Sequence, residues 1–254
     1  MKICLSTANL SLDNLSANTL ALEESMRSAK KGGADLVLHG EASLSGFEAL
    51  NFNYRRDLDY TLALQSMEIV RMQKLARDIG IAVGFGFYEN EDGGFYSTYL
   101  IIDKEGEIID LYHRVSPGWK IPSANADYRV GKTFHSFEYL GKTFATLVCG
   151  DLWEDDLLMS IIDLDPIVDA WLWPVHLDIP VEEWNKENKD YHDPYNVSRL
   201  AYSHRSAILE KPVLMINNYV QDKGRAKGGL YHWRLSSEIA AQAPGKPAQL
   251  FVEI

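Results

Sequence analysis

An α/β fold with a mixed sheet is predicted by three features of this 254-residue sequence. Apolar, β-branched runs alternate with amphipathic helical segments along most of the chain. Several runs are joined by glycine turns too short for a helical crossover, so antiparallel hairpins interrupt a parallel pattern. No proline- or serine-rich linker, repeat or low-complexity tract breaks the alternation, and residues 1–254 read as one domain.

MKICLSTA is β-branched and apolar and reads as a strand. Asn14 to Lys31 reads as a helix, with Leu15, Leu22, Met26 and Ala29 near one face and Gly32-Gly33 as its stop. ADLVLHGE is a continuous apolar run ending at Glu41, as in a strand covered on both faces. YTLALQSMEIVRMQKLARDIG reads as a second helix, stopped by Gly80. IAVGFGFYE is a strand, NEDGG a hairpin turn, FYSTYLIID a strand, KEGE a turn and IIDLYHRV a strand. HSFEYL and KTFATLVC form a hairpin about Gly141, with Cys149 closing the second arm. DDLLMSIIDL is a short helix, IVDAWLWPVH a strand, NVSRLAYSHRSAILE a helix and PVLMINNYV a strand.

Composition narrows the function. The chain is 46% hydrophobic and 24% charged, which is ordinary globular composition. Its net charge of −11 argues against nucleic acid, since phosphate binding needs a basic footprint. Two cysteines, Cys4 and Cys149, make no disulfide framework, and a reducing compartment is the simpler reading. MKICLSTANL has no sustained apolar stretch to act as a secretion signal, and no apolar run is long enough to span a membrane. A cytoplasmic protein with no membrane partner is expected. The seven histidines show no HxxxH or CxxC grouping, so no metal or other cofactor is expected. GFGFYEN lacks the third glycine and the following helix of a dinucleotide loop, and SLSGF is not a nucleophile elbow.

Three reactive groups fall at three strand ends. Glu41 follows LVLHG, His113-Arg114 ends IIDLY, and Cys149 ends FATLV. A thiol attacks as thiolate and needs a base or positive field beside it. A carboxylate can take its proton and return it to a leaving amine. A fixed cation can hold the oxyanion of a tetrahedral intermediate. Each residue alone fits a structural role: core filler, cap, or solvated charge. Together they supply the parts of an acyl-transfer site.

LVLHGEASLSGF, YHRVSPGWK and TLVCGDLWED resemble the three signatures of the nitrilase superfamily of carbon–nitrogen hydrolases: P-E-x-x-x-x-G-Y, Y-R-K-x-H-L and C-Y-D-x-x-F-P-E, each after an apolar strand. SHRSAILEKPVLMINNYV and RVGKTFHSFEYLGKTFATLVCGD are also similar to family elements, so the resemblance covers nearly the whole chain. It implies a four-layer α-β-β-α sandwich, a homodimer or larger assembly, and a Glu-Lys-Cys triad that hydrolyses amides, carbamoyl groups or, rarely, nitriles through a thioester. Glu41 is then the general base, Cys149 the nucleophile, and the backbone N–H of Gly150 a candidate oxyanion donor. The implied partner is a small amide or N-carbamoyl substrate. By family position, Trp173 and His176 sit near the pocket mouth, and with Trp153 they are candidate substrate walls.

This sequence departs from the pattern in three places. Arg114 occupies the register of the family lysine, while Lys120 lies beyond Pro117-Gly118. Both stand as candidates for the cation: Arg114 by register, Lys120 by chemistry if the Pro-Gly turn folds it back. Gly40 replaces the usual proline. The second glutamate carried by many members has no match, Asp127 being the only acid in that loop. A thiol hydrolase of small linear amides or N-carbamoyl compounds is the leading reading; the alternative is a silent relative that binds a metabolite or partner.

Overall fold

Two six-stranded sheets face each other in the computed structural model, which describes residues 1–178, 194–221 and 226–254. Sheet one contains β1 (Lys2–Thr7), β3 (Leu36–Leu38), β4 (Ala82–Glu91), β5 (Gly94–Ile102), β6 (Ile108–His113) and β14 (Ala248–Glu253), in the order β14-β1-β3-β4-β5-β6. Sheet two contains β7 (Ser136–Tyr139), β8 (Lys142–Thr146), β9 (Ala170–Val175), β10 (Val213–Asn217), β12 (Leu230–Arg234) and β13 (Ser237–Gln242), in the order β13-β12-β10-β9-β8-β7. Both sheets have a parallel centre and antiparallel flanks: β1-β3-β4 and β8-β9-β10 run parallel. β2 (Asn9–Leu10) and β11 (Tyr219–Val220) form a small parallel pair apart.

The two-residue period of the strands builds the layers. Ile3, Leu5, Leu36, Leu38, Tyr99 and Ile101 of sheet one face Phe144, Ala170, Leu172, Leu214 and Ile216 of sheet two in a shared core. Their neighbours Cys4, Val37, Val83, Phe85 and Leu100 point outward under α1 (Leu15–Lys31) and α3 (Met67–Ile79), with α2 (Tyr54–Asp57) in the loop between those helices. Trp171, Trp173 and Met215 point outward on the other side, under α4 (Leu158–Ile162) and α5 (Pro194–Ser206). The result is the four-layer α-β-β-α sandwich. α1 begins where expected because the Asn14 side chain accepts from the Ala17 N–H at 3.0 Å, and Lys30 and Lys31 complement its C-terminal end.

Three sequence expectations need correction. The helix predicted over 60–80 runs only from Met67 to Ile79. Residue 62 is extended instead: Leu62 N–H donates to Tyr88 O and its carbonyl accepts from Asn90, so its backbone belongs to the edge of β4. The second hairpin arm ends at Thr146, so Cys149 lies beyond the strand, at the start of a 3₁₀ turn over Cys149–Trp153. Four strands, β2 and β12 to β14, have no counterpart in the sequence reading. β12 and β13 join through Leu235 and Ser236, both at positive φ without glycine, which is a turn the sequence does not advertise. Among the described residues no helix is long and apolar enough to cross a membrane.

Candidate active site

The reactive groups come from both sheets. Glu41 and Arg114 lie just past β3 and β6 of sheet one, and Cys149 lies past β8 of sheet two. Glu41 is 0% exposed and Arg114 3%. Arg114 Nη1 donates to Glu41 Oε1 at 2.7 Å and its Nε donates to Ser116 Oγ at 2.8 Å. Ser97 Oγ also donates to Glu41 Oε1, at 3.2 Å. Oε2 has no N–H or O–H partner among the described residues, and the Cys149 thiol lies against this carboxylate. The approach of the Glu41 backbone depends on Gly86: a Cβ there would stand 2.2 Å from the Ala42 nitrogen.

Cys149 adopts φ +45°, a left-handed conformation that L-residues rarely hold. Trp173 Nε1 donates to its carbonyl at 2.9 Å. Burial pushes the thiol up to about 12, and the Glu41 carboxylate adds to this. Arg114 and the His176 backbone N–H at the sulfur act in the opposite direction. At neutral pH the resting group is therefore a thiol. Cys4, fully buried under α1, is raised to about 12 by burial, with the Lys2 charge working against it.

Asp151 fixes the thiol strand to the arginine strand. It is fully buried; Oδ1 accepts from the N–H groups of Val115 (3.1 Å) and Ser116 (2.7 Å). Oδ2 accepts from Val148 N–H (2.8 Å) and Tyr112 OH (2.7 Å). Burial still holds its carboxyl above the usual carboxylate range, with Arg114 and these donors working against it. The turn first closes with Asp151 N–H to Val148 O, so the Gly150 N–H precedes the first closed bond. A Cβ on Gly150 would lie 2.3 Å from Arg114 Nη2, which places the third guanidinium nitrogen over the Gly150 backbone.

The structure brings Glu41, Arg114, Cys149 and Gly150 together and leaves Lys120 out. The Lys120 ammonium donates to Tyr128 O at 2.5 Å, and Asp127 uses its carboxylate on the Asn125 side chain. Trp173 is fully buried with its N–H on the Cys149 carbonyl, so it holds the Cys149 backbone and is not an open wall. Trp153 is 40% exposed; its ring meets Tyr202 edge-on at 5.1 Å, and Arg205 Cζ lies 5.8 Å from its centroid. His176 stacks on Phe47 at 4.3 Å, and its Nδ1 accepts from Asn218 Nδ2 at 3.1 Å. Ser97, Ser116, Asn218 and Tyr202 were missed by sequence reasoning. Of these, only Ser116 had a signal, its place two residues after Arg114. Tyr202 is held well above the usual phenol range, first by burial and then by Cys149 and Glu41, so its hydroxyl shares the site's field.

A family model described as carbon-nitrogen hydrolase matches residues 5–165. The chain is 26% identical over 165 residues to the glutamine-dependent NAD(+) synthetase of Acinetobacter baylyi, spanning 65% of this chain and 29% of that protein. It is 27% identical over 159 residues to N-carbamoylputrescine amidase of Arabidopsis thaliana, spanning 59% of this chain and 51% of that protein. The chain thus spans about half or less of these curated relatives. An amidase of the nitrilase superfamily from Nesterenkonia AN1 superposes with a TM-score of 0.78 at 16% identity, covering 100% of this chain and 90% of that one. A glutamate-to-glutamine mutant of that amidase, TM-score 0.75 at 17% identity over 100% and 90% of the two chains, carries the acetamide moiety of fluoroacetamide on its active-site cysteine.

Proposed function

We infer the reaction from one premise: the chain belongs to the carbon–nitrogen hydrolase family. It hydrolyses non-peptide C–N bonds of small linear amides or N-carbamoyl compounds through a thioester. The observation that carries this reading is the Glu41 carboxylate, held by Arg114 on one oxygen and facing the Cys149 thiol. As sulfur attacks the carbonyl carbon, Glu41 takes the thiol proton. The oxygen gains charge and is received by Gly150 N–H and Arg114 Nη2, the guanidinium nitrogen not engaged by Glu41 or Ser116. The intermediate collapses, the C–N bond breaks, and Glu41 returns the proton to the departing nitrogen. Water then attacks the thioester, giving its proton to Glu41, and the thiol is regenerated with release of the acid. Arg114 is permanently charged and trades no proton, so every proton passes through Glu41.

The named amidase and N-carbamoylputrescine amidase relatives support the substrate class. Trp153 and His176 are proposed as walls of the substrate pocket. A homodimer or larger assembly belongs to the same proposal, supported by exposed Met159, Ile162 and Ile167 on and after α4 and Leu200 on α5. The test is a panel of small amides, N-carbamoyl compounds and nitriles scored by ammonia release, with intact mass to trap an acyl adduct. Wild type should turn over an amide or carbamoyl compound, Cys149→Ala should not, and Glu41→Gln should slow acylation by ~10²–10⁴. Substrate that binds with no turnover and no adduct would instead mark a silent relative. Activity in Cys149→Ala would remove the nucleophile.

A further inference from the structure

We propose that Asn218 is the positioning residue that couples the base to the thiol, and that Gly40 is the space it occupies. The inference rests on reading Glu41 as base and Cys149 as nucleophile. Those two groups belong to different sheets, so their separation is only as fixed as the contacts that cross between the sheets. Asn218 follows β10 of sheet two and is buried. Its own backbone is anchored in that sheet: its N–H donates to Val175 O at 3.3 Å, and its carbonyl accepts from Gly228 at 2.7 Å.

The side chain reaches across. Asn218 Nδ2 donates to the Glu41 carbonyl at 2.5 Å and to His176 Nδ1 at 3.1 Å. One amide therefore joins the backbone of the base to the residue whose own N–H faces the Cys149 sulfur. The Phe47–His176 stack closes the same loop from the other side.

This arrangement requires a residue without a side chain at position 40. A Cβ there would stand 2.3 Å from Asn218 Oδ1, 2.8 Å from its Cγ and 2.9 Å from Val175 O. The amide is buried, and a collision that close moves one partner or the other. Gly40→Ala therefore displaces the Asn218 link while leaving both reacting groups chemically intact.

The experiment compares wild type, Asn218→Ala, Gly40→Ala and the double variant. Cys149 alkylation by iodoacetamide is followed across pH by intact mass, with kcat and KM on the best amide and a separate melting curve. A displacement of about 1 Å between base and thiol is worth roughly 10²-fold in rate. Both single variants should lose one to two orders of magnitude in kcat and in neutral-pH alkylation, with KM little changed and the alkylation profile shifted toward higher pH. The double variant should be no slower than Gly40→Ala alone, because both changes break one link. If Asn218→Ala melts lower yet keeps the wild-type alkylation profile and kcat, the residue is merely structural and the proposal fails. Losses that multiply in the double variant would remove Gly40 from it. Asn218→Leu, similar in volume but without donors, replaces the alanine variant should that one not fold. Should wild type alkylate at Cys149 but hydrolyse nothing, the functional reading falls while the alkylation comparison still decides the role of Asn218.

Discussion

Gly150→Ala is the smallest change that should disable the site. The added methyl would lie 2.3 Å from Arg114 Nη2, 3.0 Å from Ser116 Oγ and 3.4 Å from Arg114 Cζ. A surface arginine would swing away. Here the guanidinium is held on its other two nitrogens, by Glu41 at 2.7 Å and Ser116 at 2.8 Å, and is buried. Restoring van der Waals contact moves it by about 1 Å, enough to lengthen the Glu41 bond and withdraw Nη2 from the oxyanion position. Overpacking of this kind costs about 1–3 kcal/mol of stability, and loss of one oxyanion donor costs about 3–4 kcal/mol in the transition state, or 10²–10³ in kcat. Single-turnover acylation on the best amide measures the second and denaturant unfolding the first. A paired variant sharpens the reasoning: Arg114→Lys shortens the fork, so Gly150→Ala should cost less on that background than on wild type. An alanine variant with wild-type acylation would refute the crowding argument and the assignment of Nη2 with it.

Asp151→Asn turns an NH₂ toward one pair of donors, Val115 and Ser116 or Val148 and Tyr112, and should lose about 3 kcal/mol in denaturant unfolding; an unchanged midpoint would mean that the four bonds do not hold the strands together. Lys120→Ala should keep kcat within about twofold and lose about 1 kcal/mol of stability through the Tyr128 carbonyl; a collapse in kcat would return Lys120 to the chemistry. Cys4 and Cys149 rise from 9.0 to about 12 on folding, so above pH 9 the unfolded chain releases protons that the native chain retains. Stability present below pH 9 should therefore be lost as pH climbs toward 12, and Cys149→Ala should flatten that slope; equal slopes would show that Cys149 contributes nothing to it.

The alternation of strands and helices was legible because each apolar run repeats the period of its element, and the three reactive groups were legible because each follows such a run. Lys120 misled for a physical reason. The Pro117–Trp119 turn does form, but Trp119 buries against Tyr88 and Tyr128, and the following lysine donates to the Tyr128 carbonyl. In the sequence Gly40 reads only as a replacement for the family proline, and Gly150 only as a backbone N–H after the cysteine. Their meaning is the volume they leave to Asn218 and Arg114, and volume has no one-dimensional signature. Asn218 itself reads as one of two asparagines at a strand end, and only the facing sheets show which carbonyl it reaches.

The pairing of β1 with β14, from Lys2 opposite Glu253 to Thr7 opposite Ala248, has a consequence for synthesis. A chain still emerging from the ribosome can form the β4-β5-β6 meander and its covering helices, but β1 lacks its antiparallel neighbour until the residues around 250 are out. Contacts of such sequence separation form late and slowly. The strand ends bearing Glu41 and Arg114 can exist before the sheet bearing Asn218 has been made. A nascent protein should therefore hold a carboxylate–guanidinium pair that faces solvent until the second sheet covers it, and competence should arrive in one step, when that sheet docks.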